Sequence, residues 1–530
     1  MKIVLRCLLL FGMAWAMSGM STAAETNKDP VFRGFMIDAP RGVESMDYYF
    51  RLMDFCSQHG VNVIIFRLTD DAGTAMRFTS HPELLECDGA LGAEDVKQLV
   101  AYAGKKGIEI IPEIESFGHS RYITKTKEHA SLNDGPAGKD FNALCPVSDE
   151  SMALLKDLYA EAAALFPSKY FHIGCDEVEW GASEKSKHAL ESKSRSQIWA
   201  DYVNRLNGVL KGMGKETVIW ADVPLYKEKD IIDLLDKDLV LVDWNYWVTD
   251  KAKVAENARR VLGKGFRLIG SPAVGWCGWG PRVGVAQFKN LNAFAEVYDE
   301  LRGPNNLGII VTNWVPKRYL QNCWWDSYTI ATEIMGHKGH YNYMDAMAQF
   351  VKEHFGAEYN AKWEELYHKL YEATPETGNG HWGGGKFEPW SSEAQVKELL
   401  GRKEPLSNAF NDLARLAVSL RGSVTKNVED FDDLELTLEF MGYAFDRDNA
   451  LLEFANSGKA DEISVRDYLR KVAVTDGRLR AKLDAAWCRG RSGRPDEGEK
   501  NSLWQFQTCA AYSVHLSEHP EEFIALLKER

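Results

Sequence analysis

Short apolar runs recur along the first 340 residues, each followed by a stretch in which apolar positions return every three or four residues. The runs cover 31–38, 61–68, 108–113, 170–174, 217–220, 239–244, 266–271 and 307–313. Residues 61–66, Val-Asn-Val-Ile-Ile-Phe, are almost wholly apolar, which predicts a strand buried on both faces. Segments 46–59, 94–106, 149–166 and 197–212 carry the helical period. Eight strands alternating with helices over some 300 residues predict an α/β chain folded as a (β/α)8 TIM barrel. A doubly wound open sheet is the competing arrangement. Beyond residue 340 the strand pattern stops, and helical, charged sequence follows, which predicts a C-terminal α-helical region over 341–530. Within it, 377–392 is rich in glycine and aromatic residues and reads as a linker or a lid. Its formal G-x-G-x-x-G at 378–383 neither follows a strand nor opens a helix, so it predicts no dinucleotide site.

The start of the chain differs. Lys2 and Arg6 precede an apolar stretch over 7–17, and small residues follow at 21–24. This predicts a secretory signal over 1–24, because the stretch falls short of the roughly 20 residues a span needs. The barrel then occupies 25–340, and the mature chain is expected to be exported, to the periplasm, the cell surface or beyond. Eight cysteines remain after the signal, widely spaced and without C-x-x-C, so they predict buried apolar residues and no zinc site. The formal net charge of −14 argues against nucleic acid or an anionic membrane as partner. Sixteen Trp and twenty Tyr suit sugar faces.

In a barrel of this kind the strands' C-terminal ends form the active face. There the sequence gathers Asp38 and Arg41, Asp70-Asp71, Glu113-Ile-Glu115 with His119, and His172-Ile-Gly-Cys-Asp176-Glu177. Trp220 with Asp222, Trp244 with Tyr246, and Trp314 end later strands. Carboxylates inside a ring of indoles describe a sugar pocket, where a carboxyl kept protonated by apolar walls could protonate a glycosidic oxygen. Asp176 and Glu177 are the sharpest feature. Strand neighbours point to opposite faces, so both reach one site only if the strand breaks there, and Gly174 permits that turn. Their mutual repulsion predicts that one of them holds its proton to higher pH. A helix N-terminal acidic pair is the alternative.

The segments 33–41 (RGFMIDAPR), 68–71 (LTDD), 111–120 (IPEIESFGHS) and 172–177 (HIGCDE) resemble, in order, the signatures of glycoside hydrolase family 20, the β-N-acetylhexosaminidases. Segments 220–222, 244–246 and 312–314 with Arg318-Tyr319 are more similar to the hexosaminidase D-like branch. The resemblance spans about 31–340. It implies hydrolysis of terminal N-acetylhexosamine from glycans with retention, the substrate's 2-acetamido oxygen attacking C1 to give an oxazolinium ion. Glu177 would be the acid and then the base, and Asp176 would orient the acetamido group. Arg33 would hold sugar hydroxyls. Trp220, Trp244 and Trp314 would wall the sugar, with Tyr246 a donor to the acetamido oxygen, Asp222 a further substrate contact, and His119 and Glu113 in support. No cofactor or metal is implied. Phe117, Cys175 and Arg67 depart from the family pattern, Arg67 standing where His is common, and the aromatics of 271–279 are this chain's own. The two other readings are a non-catalytic glycan-binding barrel and a retaining glycosidase with a protein nucleophile. No G-x-S-x-G, H-E-x-x-H or P-loop occurs.

Overall fold

The computed structural model describes residues 31–138, 143–275, 282–314, 319–373, 393–457, 462–491 and 518–528. The signal read over 1–24, the Gly-rich segment 377–392, Arg318 and the aromatics Trp276 and Trp279 lie outside them.

Eight parallel strands close on themselves. They are β1 (Phe32–Ile37), β2 (Val63–Arg67), β6 (Glu109–Glu113), β7 (Tyr170–His172), β8 (Glu216–Trp220), β9 (Val240–Trp244), β10 (Arg267–Ser271) and β12 (Asn306–Asn313). Their order is the chain order, and β12 pairs back onto β1 from Phe32 against Gly308 to Ile37 against Asn313. That closing ladder decides for the barrel over the open sheet. A short β11 (Ala273–Gly275) extends the β10 edge past Pro272. After β2 the chain makes an excursion that the hydrophobic pattern did not announce. It comprises β3 (Thr69–Asp70), β4 (Gly73–Met76) and β5 (Glu86–Leu91), forming a small separate sheet.

Alternation along the strands divides the core in two. Phe32, Met36, Val63, Ile65, Ile111, Val218, Val242, Ile269 and Ile310 fill the barrel. The opposite parity, including Phe35, Ile64, Phe66, Ile110, Ile219 and Leu241, packs outward. It meets the surrounding helices, among them α1 (Met46–Gln58), α2 (Ala93–Lys105), α4 (Asp149–Leu165), α6 (Arg195–Gly212), α8 (Lys251–Gly263), α9 (Val285–Glu300) and α10 (Trp325–Gly336). Two short helices, α3 (Arg121–Thr124) and α5 (Glu184–Leu190), stand in the loops after β6 and β7, and α7 (Ile231–Leu234) follows β8. On β2, β6 and β7 the last inward step toward the C-terminal end replaces an apolar residue by a polar one: Ile65 by Arg67, Ile111 by Glu113 and Tyr170 by His172. The barrel is apolar below and polar at its mouth. Cys56, Cys145, Cys175 and Cys323 are buried, as small apolar residues should be, whereas Cys87 is half-buried and Cys488 exposed.

The C-terminal region is helical as the pattern predicts. It contains α11 (Tyr343–His354), α12 (Ala361–Ala373), α13 (Glu393–Leu420), α14 (Val428–Ser457), α15 (Glu462–Gly490) and α16 (Pro520–Lys528). It packs against the barrel's flank. Arg51 of α1 makes a two-pronged pair with Asp430 of α14, and His354 Nε2 donates to the same carboxylate at 2.7 Å. Arg491, just past α15, lies over the Trp487 ring and pairs with buried Glu44 at 3.1 and 3.2 Å. No helix among the described residues is long and apolar enough to cross a membrane.

Candidate active site

The chain leaves β7 through a tight turn. Gly174 has φ +66°, Cys175 φ 77° and Glu177 φ 47°, three left-handed residues of which two carry side chains. Gly174 is obligatory for a second reason: a Cβ there would collide with the Glu115 carboxylate. The turn breaks the strand's alternation, so Asp176 and Glu177 converge, as their adjacency required. Both face one imidazole nitrogen, His119 Nε2, at 3.8 Å from Asp176 Oδ2 and 3.3 Å from Glu177 Oε2. The next helix, α5, starts only at Glu184, so the pair caps no helix. His119 itself has φ 45°, and Gly118 beside it lies so close to the Asp176 carbonyl that no Cβ would fit.

His119 Nδ1 meets Asp71 Oδ2 at 3.0 Å, and Asp71 also accepts from the Arg121 amide. Burial works against a charged imidazole here, but Asp176, Asp71 and Glu177 together more than reverse it and hold its pKa well above the usual histidine value. The His119 hydrogen bond in turn holds Glu177 below the ordinary carboxylate range, against its partial burial, with Arg41 and Lys227 adding to the effect. The expected carboxyl kept protonated by apolar walls is not Glu177: that group is partly exposed and bonded to a cation. The proton-retaining carboxyls lie deeper. Burial, opposed by Arg67 and reinforced by Asp176, raises Glu113 to about 7. Burial and Asp176 raise Glu115 well above the normal value. Burial raises Asp222 to about 6, with Lys227 opposing and Asp176 adding.

Arg67 is the centre of that layer. Its fully buried guanidinium reaches Asp38 at 3.1 Å, Asp70 at 2.6 Å, Glu113 at 3.3 Å and Glu115. Glu113 also accepts from Trp220 Nε1 at 2.7 Å. His172 packs on Trp220 with centroids 4.6 Å apart. Burial and Arg67 keep its imidazole neutral, and its Nδ1 accepts from the Gly174 amide.

The remaining expected residues separate into two groups. Trp314 donates to Tyr246 Oη at 2.6 Å, and Trp244 stacks on Tyr246 at 5.1 Å between centroids. These three form one aromatic wall. Asp222 accepts from the Glu177 amide at 3.2 Å and from Lys227 at 2.9 Å, so it fixes the turn that carries Glu177. Trp220 is 0% exposed, packed under the mouth beside Trp314, and supports the wall from below. Arg33 is a correction. It sits on the outward parity of β1, its guanidinium against Gly60 and Gly336 in a groove of about 370 Å³ behind α10. The arginine at the mouth is Arg41, which pairs with Asp70 at 2.8 Å and Asp38 at 3.2 Å and lies 5.6 Å above the Trp314 ring. Arg41, Asp71 and Glu115 were placed on the active face by the sequence but given no role there, while Lys227 and Trp247, the latter 54% exposed and 5.7 Å from Tyr246, were not anticipated. For Arg41 and Glu115 the signal was present: each shares the parity or the motif of a residue already chosen.

Residues 31–276 match the glycosyl hydrolase family 20 catalytic domain. The matched stretch, just under half of the chain, carries seven of the eight barrel strands and is similar to a family 20 glycoside hydrolase domain. Its curated relatives are remote: a β-hexosaminidase of Vibrio furnissii is 26% identical over 247 residues, 40% of this chain and 39% of that protein. The β-hexosaminidase subunit beta of Felis catus is 24% identical over 252 residues, 45% of this chain and 46% of that one. The chain thus spans less than half the length of these relatives. A crystal structure of a β-N-acetylhexosaminidase shares the fold at a TM-score of 0.50 and 17% identity, over 62% of this chain and 78% of the other. The family 20 match ends at 276, so the helical region lies beyond it.

Proposed function

We propose that this chain is an exo-acting β-N-acetylhexosaminidase that removes terminal non-reducing N-acetylglucosamine or N-acetylgalactosamine through an oxazolinium intermediate, with retention. One observation carries the reading: Asp176 and Glu177 approach a single histidine from one turn, leaving Asp176 Oδ1 buried with no hydrogen-bond partner. A two-carboxylate retaining mechanism needs a nucleophile and an acid about 5–5.5 Å apart across the sugar. Neighbours on one turn do not span a ring in that way, and Glu113 and Glu115 are tied to Arg67 below. The substrate's own acetamido group supplies the missing nucleophile. Its N–H is a natural partner for Asp176, which then balances the positive charge of the oxazolinium.

Glu177 protonates the leaving oxygen and later activates water. The His119 hydrogen bond keeps the Glu177 carboxylate ionised, so a glycoside that displaces the His119 contact and excludes water returns the proton from His119 to Glu177. Arg41, in place of Arg33, holds sugar hydroxyls, and Trp244, Tyr246 and Trp314 enclose the acetamido side. The segments 220–222, 244–246 and 312–314 support placement near the hexosaminidase D-like branch, and the leader read over 1–24 supports an exported enzyme acting on free glycans.

Matched nitrophenyl β-glycosides of N-acetylglucosamine, N-acetylgalactosamine and glucose test the reading. Turnover of an acetamido sugar, inhibition by its thiazoline and silence on glucose are expected. Equal turnover of the glucoside would show a protein nucleophile and overturn it.

A further inference from the structure

Away from the mouth, the excursion after β2 meets the loop that follows His119. His81 Nδ1 lies 2.9 Å and His129 Nε2 2.7 Å from one oxygen of Glu83, and these three donor atoms lie within 4.8 Å of one another. All three side chains are only 17–26% exposed. The loop that carries His81 is pinned next to them: Glu161 of α4 accepts from the Thr79 and Ser80 amides at 2.7 and 2.9 Å. One α4 turn earlier, Asp157 faces the other His81 nitrogen at 3.5 Å.

We propose that His81, Glu83 and His129 form a site for a divalent transition cation of the zinc class. Two imidazoles and a carboxylate are a common ligand set for such an ion, with a fourth position left to water. Ligands about 2.0–2.2 Å from a tetrahedral centre stand roughly 3.3 Å from each other, wider than the contacts at 2.9 and 2.7 Å and inside the 4.8 Å that bounds all three atoms, so a small opening of the cluster would admit the ion. The outer contact points the same way. A neutral His81 that donates from Nδ1 turns a bare Nε2, buried and without a hydrogen bond, toward the Asp157 carboxylate. A cation on Nδ1 moves the proton to Nε2, where Asp157 receives it, the usual carboxylate–histidine–metal arrangement. The ion would staple the excursion to the segment 120–132, whose Arg121 amide is already tied to Asp71, the partner of His119. It would rigidify one side of the mouth without touching substrate.

The test is zinc titration by calorimetry of the full chain after chelator treatment and gel filtration, alongside His129→Asn and Glu83→Gln. One equivalent bound at micromolar Kd or tighter is expected, with at least about tenfold weakening in each variant and in Asp157→Asn. Saturating zinc should raise the wild-type Tm by about 3 °C or more and leave the variants' Tm unchanged. Cobalt in place of zinc should give the visible bands of a four-coordinate ion. Wild-type binding no tighter than in His129→Asn and Glu83→Gln, both shown folded by circular dichroism, would overturn the site and leave a hydrogen-bonded cluster only.

Discussion

Two buried arginines show how differently this chain uses charge. Arg491 meets Glu44 one to one where α15 docks on the barrel, with Trp487 covering its face. Arg67 faces Asp38, Asp70, Glu113 and Glu115 in the barrel mouth, Arg41 sharing the first two, and Asp176, Glu177 and Asp222 stand just above. The first is a balanced pair that joins two pieces of chain. The second is an excess of carboxylates, tolerable because Glu113, Glu115 and Asp222 hold their protons to higher pH than ordinary carboxyls and because Arg41, His119 and Lys227 add positive charge. A balanced pair serves assembly. An excess of one sign, desolvated and pointed at a cleft, is what a cationic transition state requires.

The comparison is broken or sustained first at Asp176. Asp176→Asn should lower kcat by about a thousandfold or more, as loss of a preorganised charge in a closed site does. The same change removes a repulsive neighbour of Glu113, Glu115 and Asp222, so it should raise stability by about 1 kcal/mol, the usual exchange of activity for stability at a strained site. Hydrolysis assays and denaturant unfolding on one preparation check both signs. A variant that loses stability would mean that the carboxylates are there for structure.

Arg491→Ala should do the reverse. It leaves Glu44 buried without its partner and removes the Trp487 contact, at a cost of about 3 kcal/mol, while kcat stays within about twofold of wild type. Replacing both partners by apolar residues should restore most of the loss. A large fall in kcat in a still-folded variant would show that the helical region governs the mouth, and the two regions would not be separable.

His119→Asn tests the proton's location. With the imidazolium gone, Glu177 no longer has the cation that depresses its pKa, and it must hold its own proton. The wild-type alkaline limb should follow the raised His119 titration, whereas the variant's limb should fall to the ordinary carboxylate range, so the optimum moves to acid. Activity at pH 7 should drop about a hundredfold. The pH profile of kcat/KM reads this directly, and an unmoved alkaline limb would remove His119 from the proton path.

These contrasts explain what the sequence disclosed. Strand order and the helical C-terminal region were legible because aliphatic periodicity is a local property. The Asp176-Glu177 pair was legible because two adjacent carboxylates at a strand end need a broken alternation, and Gly174 signalled it. Arg33 was misread for a reason of parity. Phe32, Gly34, Met36 and Asp38 share the inward face of β1, so the arginine between the first two must point outward, and Arg41, past the strand's end, is free to turn back. The excursion carrying His81 and Glu83 was hidden because its strands are short and its partners, His129 and Asp157, are distant in sequence. Charge balance was not legible at all, since Arg67 acquires four acidic neighbours only when the barrel closes.

The smallest expected effect is on stability against pH, and it again divides the regions. Burial lifts Glu44 to about 7, with Arg491 only partly offsetting it. A carboxyl whose pKa is higher folded than unfolded stabilises fully below its unfolded value near 4.5 and loses that contribution as pH rises through about 7. Glu113 at about 7 and Asp433 at about 7 act in the same direction. Asp70 and Asp430, both depressed, act oppositely, and their contribution disappears only as pH falls below the normal carboxylate range. The buried histidines His172 and His354, both lowered, favour the folded state above about 6.5 and temper the slope. Denaturation midpoints should therefore peak near pH 5 and decline toward pH 8. Glu44→Gln, which carries the neutral form at every pH, should match wild type near pH 5 and exceed it by about 1–2 kcal/mol at pH 8. If Glu44→Gln instead weakens the chain equally at both pH values, the Arg491 pair contributes as an ion pair throughout. The dock would then depend on charge as strongly as the mouth does.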